Sequence, residues 1–360
     1  MANAALLRIA TPLIFVPLSL SLHHFSLVEP QWVFLSGLIA IAALADWVRR
    51  GTEEVAGHLG SVIGGLLNVS FGNAAELVLA LFVLSNAQTR VVQAQITGSI
   101  IGTTLLFFGV SALVGGLRRE RQTFDQPQVQ LLSTLLLLVA VAILLPAAYE
   151  MTERQSMSQS DLSQLDEQLS LCVSIVLLLL YAAHLVYVLV THRVIFAGKP
   201  SAESGPEWSL LQGLAVMAGG IFVIAFESEL VSARLLETAS ILGLSPTFIG
   251  VVMLALIGTA ADLFAAVAFA RADKMDIVFG LCVGSAIQIG MVVAPVLVLA
   301  SWAIGNPMNL VFANPLDLFA IASAAFIVRA IASDGETNWY EGLLLIGAYA
   351  LFALAYFFQK

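Results

Sequence analysis

The sequence predicts an all-α polytopic membrane protein, and three observations lead to that fold class. Hydrophobic residues make up 59% of the 360 residues. Charged residues make up only 11%, against roughly 25% in soluble domains, and the mean hydropathy is +0.95. Apolar stretches long enough to cross about 30 Å of hydrocarbon recur along the whole chain. Such stretches must satisfy their own backbone hydrogen bonds in lipid, and helices do so.

Eleven apolar segments are predicted to span the membrane, with boundaries accurate to about two to four residues. They cover residues 6–23, 32–49, 60–87, 91–117, 128–148, 169–191, 208–233, 246–271, 276–303, 313–333 and 340–358. The first segment is short and polar residues interrupt the third, so ten or twelve spans remain alternatives.

The basic residues indicate how these spans are oriented. Eleven Lys and Arg residues fall on one side of the predicted membrane and four on the other. Because basic residues concentrate in cytoplasmic loops, the N-terminus is expected in the cytoplasm and the C-terminus outside. Compact loops and the lack of a targeting segment favour a multi-pass protein of the cell (inner) membrane, and leave a homo-oligomer open.

The charge balance and the motif content exclude several classes of function. The chain has 15 Lys and Arg against 24 Asp and Glu, a net charge of -9, which argues against nucleic-acid binding and suits small cations. It has no phosphate-binding loop, no HExxH motif and no nucleophile elbow. We therefore expect neither an enzyme nor a cofactor, and any uphill transport must use an existing ion gradient.

An internal repeat is the most informative feature of the sequence. Residues 72–84 read GNAAELVLALFVL and residues 258–270 read GTAADLFAAVAFA, an offset of 186. The copies lie five predicted spans apart, so they cross the membrane in opposite directions. Inverted repeats are typical of secondary transporters. We expect a peripheral first helix at 1–31, a first five-helix half at 32–200 and a second, inverted half at 201–360.

Each copy of the repeat carries one acid near the predicted middle of the bilayer, Glu76 and Asp262. A carboxylate at that depth costs at least ~2.5 kcal/mol and indicates a functional site. Asn73 and Thr259 precede these acids by three residues, which places each pair on one helix face. The glycines before them are expected to let the two helices approach closely. Both carboxylates are predicted to hold one cation and to exchange it for protons.

Other polar residues in the spans are further candidates. Ser99, Ser285 and Gln288 could supply oxygen ligands from the fourth and ninth spans, although buried hydroxyls and amides often only bond to the backbone. Glu227 and Glu229, toward the outer end of the seventh span, could form an external cation vestibule or simply a solvated helix end.

Three stretches resemble the Ca²⁺/H⁺ antiporters, the cation-exchanger branch of the Ca²⁺/cation antiporters. They are HLGSVIGGLLNVSFGNAAELVLALF, DKMDIVFGLCVGSAIQIGMVVAPVLVL, and NPMNLVF followed by SDGETNWYEG. The resemblance extends from about residue 32 to the end of the chain. It implies eleven helices, two inverted halves, and export of cytosolic Ca²⁺ in exchange for protons, with Glu76 and Asp262 at the centre.

The chain departs from the usual pattern of that family at three places, one in the fourth span and two in the second repeat. The family reads GNAAEH where this chain has GTAADL, GSILSN where it has GSIIGT, and GSS where it has GSA. Two alternatives therefore stay open. One is an antiporter for another cation, such as Na⁺ or Mn²⁺. The other is a degenerate, non-transporting relative retained as a membrane partner.

Overall fold

The computed structural model describes residues 2–24, 29–153, 159–191, 207–312 and 314–359, and almost all of them are helical. The helices are α1 (Ala2–His24), α2 (Pro30–Leu59), α3 (Ser61–Phe71), α4 (Ala74–Ser85), α5 (Thr89–Gly116), α6 (Gln126–Glu153), α7 (Gln159–Val186), α8 (Leu210–Leu242), α9 (Pro246–Gly258), α10 (Ala260–Arg271), α11 (Met275–Ile304), α12 (Pro315–Ile331) and α13 (Trp339–Phe358). Two short strands, β1 (Gln122–Thr123) and β2 (Glu336–Thr337), pair antiparallel.

The all-helical membrane fold expected from composition is confirmed. Eight helices in the described ranges are long and apolar enough to cross a membrane, and the bent pair α9–α10 makes nine. The apolar stretches Thr11–His23 in α1 and Ala74–Ser85 in α4 are shorter. All eleven predicted segments fall on helices, but the count of eleven spans stays a prediction.

Two of the predicted spans are broken helices. The third divides into α3 and α4 at Gly72 and Asn73, and the eighth divides into α9 and α10 at Thr259, where the axis bends by 56°. Asn73 (φ -105°, ψ 24°) and Thr259 (φ -106°, ψ 7°) share one non-helical conformation. The two copies of the repeat therefore break at equivalent residues. Asn and Thr are poor formers of helix interiors, which fits their place at the breaks.

Helices α5 and α11 also deviate from regular α-helix at related places. A π-helical turn occupies Gly102–Phe107 in α5, and another occupies Ile289–Val293 in α11. When the first turn is shifted by the 186-residue offset of the repeat, it begins one residue before the second turn and ends at the same residue. Single π-helical turns of this kind occur frequently at functional sites, and both lie just beyond the polar residues described below.

Glycines bring several helices into close contact. A Cβ built on Gly51 of α2 would stand 3.0 Å from the Gly213 carbonyl oxygen of α8. A Cβ on Gly342 of α13 would stand 2.6 Å from the Gly109 carbonyl oxygen of α5. Small residues permit such approach where helices pack in lipid. The tight packing of α5 against α13 and the β1–β2 pair join early and late parts of the chain.

Candidate cation site

The two acids of the repeat are buried at the centre of the helix bundle. Glu76 is 1% exposed and Asp262 is 7% exposed. Each lies in the first turn of a helix that begins at a break, α4 for Glu76 and α10 for Asp262. The positive end of a helix dipole stabilises a carboxylate there. Asp262 lies within electrostatic range of Glu76.

The oxygens around Glu76 lack hydrogen-bond partners among the described residues. Four side-chain oxygens are buried without a well-formed hydrogen bond: both carboxylate oxygens of Glu76, Ser99 Oγ and Gln95 Oε1. Ser99 lies beside the Glu76 carboxylate, and Gln95 Nε2 donates to the Glu76 carbonyl oxygen at 3.4 Å. Buried polar atoms are nearly always satisfied. A carboxylate in these surroundings, with only the neighbouring Ser99 hydroxyl beside it as a donor, is therefore suited to a bound cation or proton.

Polar side chains of α11 connect the two broken helices. Asn73 Nδ2 donates to Gln288 Oε1 at 2.9 Å, and Ser285 Oγ donates to Asn73 Oδ1 at 3.3 Å. Ser285 also lies beside Asp262. The structure thus brings Asn73, Ser285 and Gln288 together near Asp262, while Ser99 lies near Glu76.

Thr259 bonds to the backbone in this conformation. Its hydroxyl donates to the Ala255 carbonyl oxygen at 2.8 Å. Neither Thr259 nor Asn73 lies in the body of a helix, and the site role predicted for each of them stays a prediction. Both residues are the N-caps of the helices that carry the acids.

The close approach predicted for the two glycines is found on one side. A Cβ on Gly258 would stand 3.2 Å from Glu76 Cβ, so the end of α9 packs directly on this acid. The heavy atoms nearest to a Cβ on Gly72 belong instead to Asn68, in the preceding turn of α3. Only Gly258 therefore lets one broken helix approach the acid of the other.

A cavity of about 400 Å³ leads to one of the two acids. Asp262, Asn73, Ser285 and Gln288 line it, and Glu76 does not. The other lining residues are Arg49, Glu53, Asn68, Gly72, Gln128, Ile277, Gly280 and Leu281. In this conformation Asp262 faces the opening while Glu76 is closed off behind it.

The predicted vestibule acids do not line this cavity. Glu227 is fully buried and accepts a hydrogen bond from Ser19 of α1 at 2.7 Å, whereas Glu229 is exposed. An open position for Glu227 is therefore not found, because α1 covers it. A functional role for these two acids stays a prediction.

Sequence reasoning missed four polar residues at the site: Arg49, Glu53, Gln95 and Gln128. Gln95 and Gln128 lie at or within predicted spans, and their polarity was a usable signal. The sequence predicts that the second span stops at residue 49, which places Arg49 at its end and Glu53 beyond it. Helix α2 continues to Leu59, which brings both side chains into the cavity lining.

The described residues contain no group of three or more His, Cys, Asp or Glu suited to a metal.

Known proteins resemble this chain over most of its length. Residues 30–190 and 212–358 match the model of the sodium/calcium exchanger protein family. The chain belongs to that family. A Ca²⁺/H⁺ antiporter of Aphanothece halophytica is 39% identical over 96% of the chain and 95% of its own length. The Ca²⁺/H⁺ antiporter ChaA of Bacillus subtilis is 39% identical over 95% of the chain and 96% of its own length.

Solved structures of the sodium/calcium exchanger family have the same fold. The Ca²⁺/H⁺ antiporter protein YfkE superposes with a TM-score of 0.82 at 34% identity, over 98% of this chain and 99% of its own. The family membership expected from the quoted stretches is confirmed, and with it the membrane transporter fold.

Proposed function

We propose that the chain is a secondary antiporter that exports cytosolic Ca²⁺ in exchange for protons. One observation carries the proposal: the oxygens of Glu76, Ser99 and Gln95 are buried beside a second acid and make no well-formed hydrogen bond within the described part of the chain. Ca²⁺ takes about six to eight oxygen ligands, including carboxylates, amide carbonyls and waters. The relatives named Ca²⁺/H⁺ antiporter support Ca²⁺ over Na⁺ or Mn²⁺.

The coupling to protons follows from competition for the same oxygens. Two neighbouring carboxylates in a desolvated site repel one another and are costly to keep charged. A bound cation or bound protons lower the free energy of the site because they neutralise that charge. Loss of protons therefore favours Ca²⁺ binding, and a rise in proton concentration favours its release. Glu76 and Asp262 would bind the ion and the protons in turn. Asn73, Ser99, Ser285 and Gln288 would contribute neutral oxygens or position those that do.

We further propose that the protein rocks between two open states. Residues 32–200 and 201–360 would form two inverted halves, with the helix at 1–31 at their periphery. The cavity opens on the side that carries Arg49, which the basic-residue count predicts to be cytoplasmic. The inner membrane of a bacterial-type cell, with the N-terminus inside, is the expected location. Protons entering from outside would supply ~2.3 kcal/mol per charge for each 100 mV.

The test is Ca²⁺ uptake into inside-out membrane vesicles with an acidic interior. The wild-type chain should accumulate Ca²⁺, and collapse of the pH gradient should stop the uptake. Glu76→Gln should abolish uptake, because the amide keeps the shape and removes the charge. Glu237→Gln is the matched control, since Glu237 is an exposed acid paired with Arg234. A wild-type protein that moves no Ca²⁺ would contradict the proposal.

Ion competition separates the remaining alternatives. Excess Mn²⁺ or Na⁺ should inhibit Ca²⁺ uptake less than unlabelled Ca²⁺ does. A non-transporting relative predicts that no cation moves in any gradient, and that Glu76→Gln leaves the cellular role of the protein intact.

A further inference from the structure

The cavity that reaches Asp262 contains a positive charge as well as negative ones. Exposure falls along its polar lining, from 53% for the Glu53 side chain to 15% for that of Arg49 and 7% for Asp262. Arg49 and Asp262 line the same cavity, and Arg49 pairs with the more exposed Glu53. Arg49 and Asp262 are within electrostatic range of one another. A cation that enters this cavity therefore meets a guanidinium on its lining.

Two carboxylates of the same helix hold Arg49 in place. Its NH2 group lies 3.3 Å from Asp46 Oδ1, one turn before it, and its NH1 group pairs with Glu53 Oε1, one turn after it. Arg49 Nε is buried and has no hydrogen-bond partner among the described residues. A guanidinium carries five N–H donors and stays charged at every working pH. The charge is therefore permanent, and one of its donors is unused.

We infer that Arg49 is a built-in counter-cation of Asp262, which competes with the incoming divalent cation and sets the apparent affinity on the open side. This inference rests on the proposed antiport. A fixed positive charge near Asp262 stabilises the empty site and repels Ca²⁺. Asp262 then contributes less to binding than Glu76 does. Because Arg49 keeps its charge at all pH values, protons cannot relieve the competition, and only a movement of α2 relative to α10 can.

The neighbouring residue supplies a matched control. Arg50 carries the same charge on the same helix, pairs with Asp46 at 2.9 Å and does not line the cavity. If Arg49 acted only as a general surface charge, or as an anchor of α2 at the membrane surface, removing either arginine would have similar effects. If Arg49 acts on Asp262, only its removal changes the affinity.

The experiment measures the Ca²⁺ concentration for half-maximal uptake in inside-out vesicles. Arg49→Gln should lower that concentration about fivefold, the equivalent of about 1 kcal/mol. Arg49→Met, which keeps the length of the aliphatic stem, should shift it in the same direction. Arg49→Lys and Arg50→Gln should leave it near the wild-type value. Size-exclusion profiles of the purified variants verify that each is folded.

The outcomes separate this inference from the proposed function. Wild-type vesicles that take up no Ca²⁺ contradict the antiport itself. Vesicles that take up Ca²⁺ with the same half-maximal concentration in Arg49→Gln, Arg49→Met and wild type overturn the role of Arg49 alone. So does an equal shift in Arg50→Gln. Calorimetry on the Asp262→Asn background gives a second readout, because there Arg49→Gln should lose most of its effect on Ca²⁺ binding.

Discussion

Gly98 of α5 lies against the backbone of Val251 in α9, so that a Cβ on Gly98 would stand 2.0 Å from the Val251 carbonyl oxygen. Gly284 is the equivalent of Gly98 in the second repeat. A Cβ on Gly284 would meet no heavy atom of the described residues within 4 Å. Gly98 is therefore tightly packed in this conformation, whereas its equivalent Gly284 is not packed against any described residue. Its neighbours Leu281 and Ser285 line the cavity that reaches Asp262.

We expect Gly98→Ala to destabilise the protein and Gly284→Ala to leave its stability unchanged. The added methyl group at 98 would overlap backbone that cannot move aside, which costs about 1–3 kcal/mol in a packed interior. At 284 the methyl group points into open space. Thermal unfolding of the two purified variants in detergent checks this. Equal midpoints for both variants would contradict the asymmetry described here.

The repeat also predicts which glycine becomes packed when the protein opens to the other side. Gly98 packs on backbone in the state described here, so its equivalent Gly284 should pack on backbone in the other state. Gly284→Ala should therefore slow Ca²⁺ uptake, because the added methyl group hinders that second state. Gly347→Ala is the control, since a Cβ there also meets no described heavy atom within 4 Å. Uptake at the wild-type rate in Gly284→Ala would show that the two halves do not exchange conformations.

Binding of Ca²⁺ should release protons. Below the pH at which the two buried acids lose their protons, Ca²⁺ must displace them, so its apparent affinity should fall as the pH falls and rise as the pH rises. Calorimetry of the purified protein in buffers with different ionisation enthalpies counts the protons released. The same titration after Glu76→Gln should show little Ca²⁺ binding. Binding that is independent of buffer and pH would exclude competition at the carboxylates.

The hydroxyl of Tyr356 should contribute to stability, and that of Tyr349 should not. Tyr356 is fully buried and donates to Asp317 Oδ1 at 2.5 Å, whereas the Tyr349 hydroxyl has no partner among the described residues. Tyr356→Phe leaves a buried acid short of a donor, which costs about 1–3 kcal/mol. Tyr349→Phe should be neutral or slightly stabilising. Thermal unfolding of the pair measures the difference.

The depth of the acids could be predicted from the sequence, and their surroundings only in part. Glu76 and Asp262 stand out because carboxylates are costly in lipid, and the offset of 186 relates them without any structure. The apolar pattern of residues 246–271 predicts one continuous helix and gives no sign of the break at Thr259. Local sequence also gives no sign that a Cβ would meet backbone at Gly98 and no described atom at Gly284. That difference depends on how the helices of the whole bundle are arranged in this conformation.

Arg49 shows a second kind of limit. The rule that places basic residues at the membrane boundary correctly identifies a charge near a span end. It does not reveal that α2 continues for ten residues beyond Arg49 and turns this charge toward the cavity. Helix ends are the least certain part of any sequence interpretation, and here an error of that size separates a surface anchor from a lining residue of the site.

The β1–β2 pair imposes a geometric condition on any large movement. Two residues that follow α5 are hydrogen-bonded to two residues that precede α13, Phe124 N–H donates to the Gly335 carbonyl oxygen at 2.8 Å, and Arg121 pairs with Glu336 at 3.2 Å. A rearrangement that keeps these bonds leaves this corner of the molecule stationary. The other helices then tilt about this corner, and those farthest from it move the greatest distance for a given angle of tilt.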